Sequence, residues 1–143
     1  MLDTYFPDPK HTAGWQDHLT WGDIVSFRFP LQDDAEAGVE PKKHPCLVID
    51  RHQIGALPFV TLAFGTSADH KTTRGYGVDI TRPARVIAAG LHRPTRFICY
   101  RKISVSLKLS GFVCNRTTES PVFGSLSGPE FERMNQVRAR LQA

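Results

Sequence analysis

Lys42-Lys43-His44-Pro45-Cys46-Leu47-Val48-Ile49-Asp50 is the stretch from which the fold is read. Two lysines and a histidine run straight into an apolar segment, with Pro45 between them. Proline holds its own φ at about −65° and drives the residue before it out of the helical region. His44 is therefore expected to be extended and to deliver the chain into a buried strand over residues 46–49. An apolar run without a polar break packs on both faces, as a central strand does. Cationic groups at the mouth of such a strand stand on a rigid support, which is what a binding or catalytic site needs. The same residues also read as a solubilising basic loop ahead of an ordinary strand.

Before this stretch, Trp21-Gly22-Asp23-Ile24-Val25-Ser26-Phe27-Arg28-Phe29-Pro30 alternates an apolar face (Val25, Phe27, Phe29) with a more polar one, and Pro30 closes it as a strand. Residues 32–41 are acidic and turn-rich. A loop of that length tends to be functional or mobile, and its acids can partly neutralise the basic cluster. After the stretch, Leu57-Pro58-Phe59-Val60-Thr61-Leu62-Ala63-Phe64 is a second apolar strand. Gly65-Thr66-Ser67 ends it and presents two hydroxyls at a strand end, where polar groups meet ligands as readily as they make plain turns.

Residues 68–77 carry His70, Lys71 and Arg74 around Tyr76, a mixture that suits a phosphate or base contact and equally any exposed loop. Val78-Asp79-Ile80 and Arg85-Val86-Ile87-Ala88 read as two short strand pieces separated by Pro83. Residues 96–105 form a longer strand with basic residues at both ends, and Gly111-Phe112-Val113-Cys114 and residues 122–126 are the last strand candidates. The chain then turns helical over 129–141. Ser127 or Gly128 can cap it, Pro129 fits the first turn, and Phe131, Met134, Val137 and Leu141 share one face for core or dimer packing. Residues 1–20 show no period and read as an irregular arm held by its aromatics, with His11 and His18 exposed.

The pattern amounts to about seven short strands, Gly and Pro between them, and one terminal helix, which implies a small, mainly β barrel. One domain is expected over 21–143. The chain has 143 residues, enough to bury a core, with 41% hydrophobic and 22% charged residues. No apolar run is long enough to span a bilayer and no signal peptide opens the chain, so no membrane association and a cytoplasmic location are expected. The three cysteines, Cys46, Cys99 and Cys114, have neither a disulfide pattern nor metal-ligand spacing. A net charge of +4 suits a polyanionic partner, RNA first, without requiring one. No phosphate loop, nucleophile elbow or dinucleotide fingerprint occurs.

Four segments in this order carry a family resemblance: Gly22-Asp23-Ile24-Val25, the basic-Pro-Cys-Leu-Val-Ile strand, Ala63-Phe64-Gly65-Thr66-Ser67, and Ala89-Gly90-Leu91-His92-Arg93-Pro94-Thr95-Arg96-Phe97. Together they resemble the PemK/MazF-like toxins of type II toxin–antitoxin systems, over about residues 22–126. Residues 1–20 lie outside the resemblance. It implies an SH3-like β barrel with a C-terminal α helix, a homodimer, and a metal-independent endoribonuclease without cofactor that cleaves single-stranded mRNA. The 2′-hydroxyl would attack the adjacent phosphate, and a cognate antitoxin protein would neutralise the toxin.

Carried over by residue, the resemblance makes His44 the group at the family's Arg-Pro position, an imidazole able to transfer a proton near neutral pH. Thr66 matches the strand-end threonine, and Arg96 a phosphate-stabilising arginine. Lys42, Lys43, Ser67, Arg28, Arg74 and Arg101 are the expected RNA contacts. Where some relatives have Arg-x-Asp-Gln-x-Arg, this chain keeps Arg96 and Arg101 but has Ile98 and Cys99 between them. The acid is missing from that strand, with Asp23 or Asp79 as substitutes in space. The alternative expectation is thus a catalytically degenerate barrel that binds RNA or a protein partner without cutting.

Overall fold

A computed structural model describes residues 8–67 and 74–142. Six strands form one antiparallel sheet: β1 (Asp23–Arg28), β2 (Lys43–Ile54), β3 (Leu57–Thr66), β4 (Gly77–Ile80), β5 (Thr95–Ser106) and β6 (Val122–Ser125). The spatial order is β4-β5-β3-β2-β1-β6, and the sheet curls into a half-barrel. Among the described residues three α-helices accompany it: α1 (Gln32–Glu36), α2 (Pro83–Ala88) and α3 (Gly128–Leu141). The molecule is mainly β with a C-terminal helix, as the sequence implied.

The segment that decides the fold behaves as its residues dictate. Cys46 and Val48 point into one core with Val25, Phe27, Leu62 and Phe64. Leu47 and Ile49 point into a second core with Ile24, Ala63, Phe97 and Cys99. Strand alternation sends successive side chains to opposite faces, and every one of these four residues is buried. The first, which takes in Trp15 and Leu19 of the arm, is called the inner core and the second the outer one. The second is roofed by α3, whose Met134 and Val137 are fully buried, with Phe131 and Leu141 packed beside them. The helical face drawn from the sequence is thus core packing, worth about 1.5–3 kcal/mol for each large side chain fully buried.

Three local expectations give way. Residues 85–88 are helical, not a strand. Pro83 stands in the first turn of α2, where its missing N–H costs nothing, and of its β-branched pair Val86 is buried while Ile87 is 76% exposed. The acidic loop contains the short helix α1, which begins after Leu31. Residues 111–114 do not form a full strand. Phe112 makes an isolated bridge to Phe27, and Val113 N–H donates to the Ser26 carbonyl at 2.9 Å.

Within residues 8–20 the arm belongs to the fold. Trp15 and Leu19 lie in the inner core, and the Arg51 guanidinium donates to the Gln16 and Leu19 carbonyls at 2.7 and 2.8 Å. Asp23 is buried, ion-paired to Lys10 at 2.9 Å, and accepts from Thr20 N–H. His18 is exposed and His11 half-buried. The aromatics Tyr5 and Phe6 lie outside the described residues, as do His70 and Lys71.

Candidate functional site

At one end of the sheet β2 begins and β3 ends, held close by Gly65. A Cβ there would meet the Pro45 carbonyl and, at 2.7 Å, the Phe97 ring. This close approach brings the two polar strand ends, Lys43-His44 and Thr66-Ser67, to one site. A cavity of about 570 Å³ opens there, and all four residues line it. From outside these two strands come His92 and Arg93, on the loop between α2 and β5, and Asn115 and Ser120, ahead of β6. No Asp or Glu is found among the described residues lining it. An opening lined by Lys, Arg and two imidazoles, with hydroxyls and an amide between them, has the donor set for a phosphate and the groups for proton transfer.

His44 borders this cavity from the inner face of the sheet. Its ring centroid is 4.9 Å from that of Phe64, which in turn lies 5.2 Å from Phe29. Burial pushes the imidazole below its ordinary value of 6.5, the Asp34 carboxylate on α1 pulls it up, and Lys42 pushes it down, burial being the largest influence. The net effect favours the neutral ring, which can accept a proton. Asp34 Oδ2 is itself buried with no hydrogen-bond partner among the described residues.

The other expected site residues do not line the cavity. Arg96 stands opposite Thr66 in the β3–β5 register and opposite Asp79 in the β4–β5 register. Its guanidinium grips Asp79 through two bonds of 2.8 and 3.0 Å, so the row Thr66–Arg96–Asp79 crosses three strands. The Arg101 guanidinium lies 4.7 Å over the Phe64 ring, on the side chain that also carries His44. The β3–β5 pairing slips between Ala63 and Phe64, where Lys102 and Ile98 are the successive partners, and Arg101 falls in that irregular stretch. Arg28 donates to the Pro41 carbonyl at 3.0 Å and stands opposite Lys43. Arg74 lies 5.7 Å from the Tyr100 ring centroid. Lys42 is exposed and acts on His44 by charge.

Ile98 and Cys99, at the positions of the relatives' Asp and Gln, are buried in the inner and outer cores respectively. Asp23 is committed to Lys10, and Asp79 to Arg96. Burial raises the thiols of Cys46 and Cys99 to about 12, so both remain protonated core groups. His92 and Arg93 were not singled out as site residues from the sequence, although both stand within a segment that carried the resemblance. Their only local signal was a basic pair in an exposed turn, and the curl of the sheet supplies the rest.

Among the described residues no group of three or more His, Cys, Asp and Glu side chains could hold a metal ion, and no helix is long and apolar enough to cross a membrane. No protein-family model matches the chain, and neither does any curated protein. Solved structures do. The Mycobacterium tuberculosis toxin MazF-mt6 matches with a TM-score of 0.53 at 15% identity, over 82% of this chain and 93% of that one. A structure described as an Mtb toxin matches with a TM-score of 0.48 at 15% identity, over 68% and 90%. Over most of its length, then, the chain has a MazF/PemK-like toxin fold.

Proposed function

We propose that the protein is the toxin of a type II toxin–antitoxin system, a metal-independent endoribonuclease acting on single-stranded mRNA. The observation that carries this reading is the cavity at the β2–β3 strand ends, which gathers Lys43, His44, Thr66 and Arg93 with no described carboxylate on its lining. A phosphodiester is the ligand such a lining favours. The fold of MazF-mt6, a toxin, supports the same reading.

In this reaction the 2′-hydroxyl attacks the adjacent phosphorus, and the chain breaks to leave a cyclic phosphate and a 5′-hydroxyl. Neutral His44 accepts the 2′-hydroxyl proton. Its lowered proton affinity keeps it in the accepting form near neutral pH. Lys43 and Arg93 oppose the charge that grows on the phosphate oxygens, and the Thr66 and Ser67 hydroxyls donate to them. Arg96, fixed by Asp79 beside Thr66, contacts the flanking backbone of the RNA, and Lys42, Arg28, Arg74 and Arg101 extend the positive surface along which the strand lies. The reading includes a homodimer, a cytoplasmic location and inhibition by a cognate antitoxin protein.

One observation favours a second reading, a barrel that binds RNA or a protein partner without cutting it: the β5 positions of the relatives' Asp and Gln hold the buried Ile98 and Cys99. Purified protein incubated with a long single-stranded RNA in EDTA separates the two. The toxin reading expects discrete fragments ending in cyclic phosphate, with His44→Ala slower by about 10²–10⁴-fold, the usual contribution of a general base. Intact RNA from folded, RNA-binding protein selects the second reading. Equal cleavage by the wild type, His44→Ala and Arg96→Ala removes the assigned residues.

A further inference from the structure

His92 and Arg93 are two exposed side chains on a loop that is fixed at both ends. Ahead of them, Leu91 is buried and its N–H donates to the Val86 carbonyl at 3.0 Å. Gly90 has a φ of +78° and lies so tightly on Phe123-Gly124 that an added Cβ would strike the Phe123 carbonyl. A glycine is required there for conformation and for space together. Behind them, Thr95 is buried and its hydroxyl donates to the Arg93 carbonyl at 3.0 Å. Between these anchors, His92 and Arg93 line the same cavity as His44 and Lys43, but from another part of the chain. The pair is thus held on both sides, and a reacting group must be held to a fraction of an ångström.

Displacement at phosphorus is in line: the attacking oxygen enters opposite the leaving oxygen. The group that takes the first proton is therefore not placed to deliver the second, and a second group is needed on the other side of the phosphate. His44 on β2 and His92 on the α2–β5 loop reach the cavity from separate elements. We propose that His92 is the general acid, protonating the 5′-oxygen as it leaves, with Arg93 beside it on the phosphate. The proposal rests on the ribonuclease reading of the cavity. The balance is complete without a co-reactant. The O2′–P bond forms as the P–O5′ bond breaks, the 2′-hydroxyl proton ends on His44, and the proton of His92 ends on the 5′-hydroxyl product. A barrel without an acid on β5 thus has one from a different wall.

A leaving-group substitution tests this. Two oligonucleotides of one cleavable sequence are compared, the natural one and one whose 5′-bridging oxygen is replaced by sulfur at the scissile position. A thiolate leaves without a proton. His92→Ala and His92→Gln are expected to cut the natural substrate about 10²–10⁴-fold more slowly and the sulfur substrate within a few-fold of the wild type. His44→Ala is slow on both. Natural-substrate cleavage at the wild-type rate by the His92 variants, or an equal loss on both substrates, overturns the acid role. Wild-type protein that cuts neither substrate overturns the ribonuclease reading, and this role with it. Unchanged melting temperatures of the His92 variants exclude a folding defect, which the exposure of the side chain leads one to expect.

Discussion

His44, the base of the proposed reaction, has surroundings that pull in opposite directions. Burial and Lys42 favour the neutral imidazole, and Asp34 favours the charged one. A general base works only when unprotonated, so the cleavage rate should fall as pH drops through its proton affinity, and burial moves that midpoint below 6.5. Asp34→Asn removes the one influence that raises it and should carry the midpoint further toward acid. Lys42→Ala should carry it the other way. A pH–rate profile for the three proteins checks both directions, and coincident acid limbs would show that His44 does not limit the reaction. The place of His44 at the head of β2 was legible through Pro45, whose backbone constraint holds whatever surrounds it. The sequence could not make Asp34 legible, because a charge in an acidic loop gains its meaning from the short helix that folds it toward β2.

Among the elements, α3 does more than cover the outer core. Its apolar side buries Met134 and Val137, while Arg133 and Arg140 reach across to the turn before β4, donating to the Gly75 carbonyl at 3.0 and 2.9 Å. The Arg140 guanidinium also lies 4.6 Å from the Tyr76 ring centroid. Met134→Ala leaves a cavity between helix and sheet that backbone pairing prevents from closing. It should cost about 2–5 kcal/mol, read as a lower midpoint in denaturant at unchanged slope. A loss under about 0.5 kcal/mol would mean that the helix is only loosely docked. The helix could be read from four apolar residues at helical spacing because that period has one physical meaning. α2 was misread because Val86 and Ile87 have strand propensity, and the Pro83 signal at the first turn of a helix is also a signal for a break.

For the whole molecule, the curl of the sheet creates the site, and that is why the barrel was legible and the complete cavity was not. Apolar periodicity and Gly/Pro punctuation fix strands one at a time. They do not report that residues 43–44, 66–67 and 92–93 meet at one opening. Binding at that opening should be strongly electrostatic. Affinity for a non-cleavable single-stranded RNA should fall with rising salt, and Lys43→Ala and Arg93→Ala should each flatten the log–log slope by about 0.7, the share of one phosphate contact. Slopes equal to that of the wild type would put the RNA elsewhere on the protein.

The central claim is that the 2′-hydroxyl of bound RNA is the nucleophile at this cavity. A cleavable oligonucleotide with a single 2′-deoxy substitution at the scissile nucleotide tests it most directly. The account predicts that the substituted strand binds as the all-ribose strand does and stays intact, while the all-ribose strand is cut to a cyclic phosphate end. Cleavage of the substituted strand at a comparable rate would contradict it, since the attacking group would then have to come from water or from the protein.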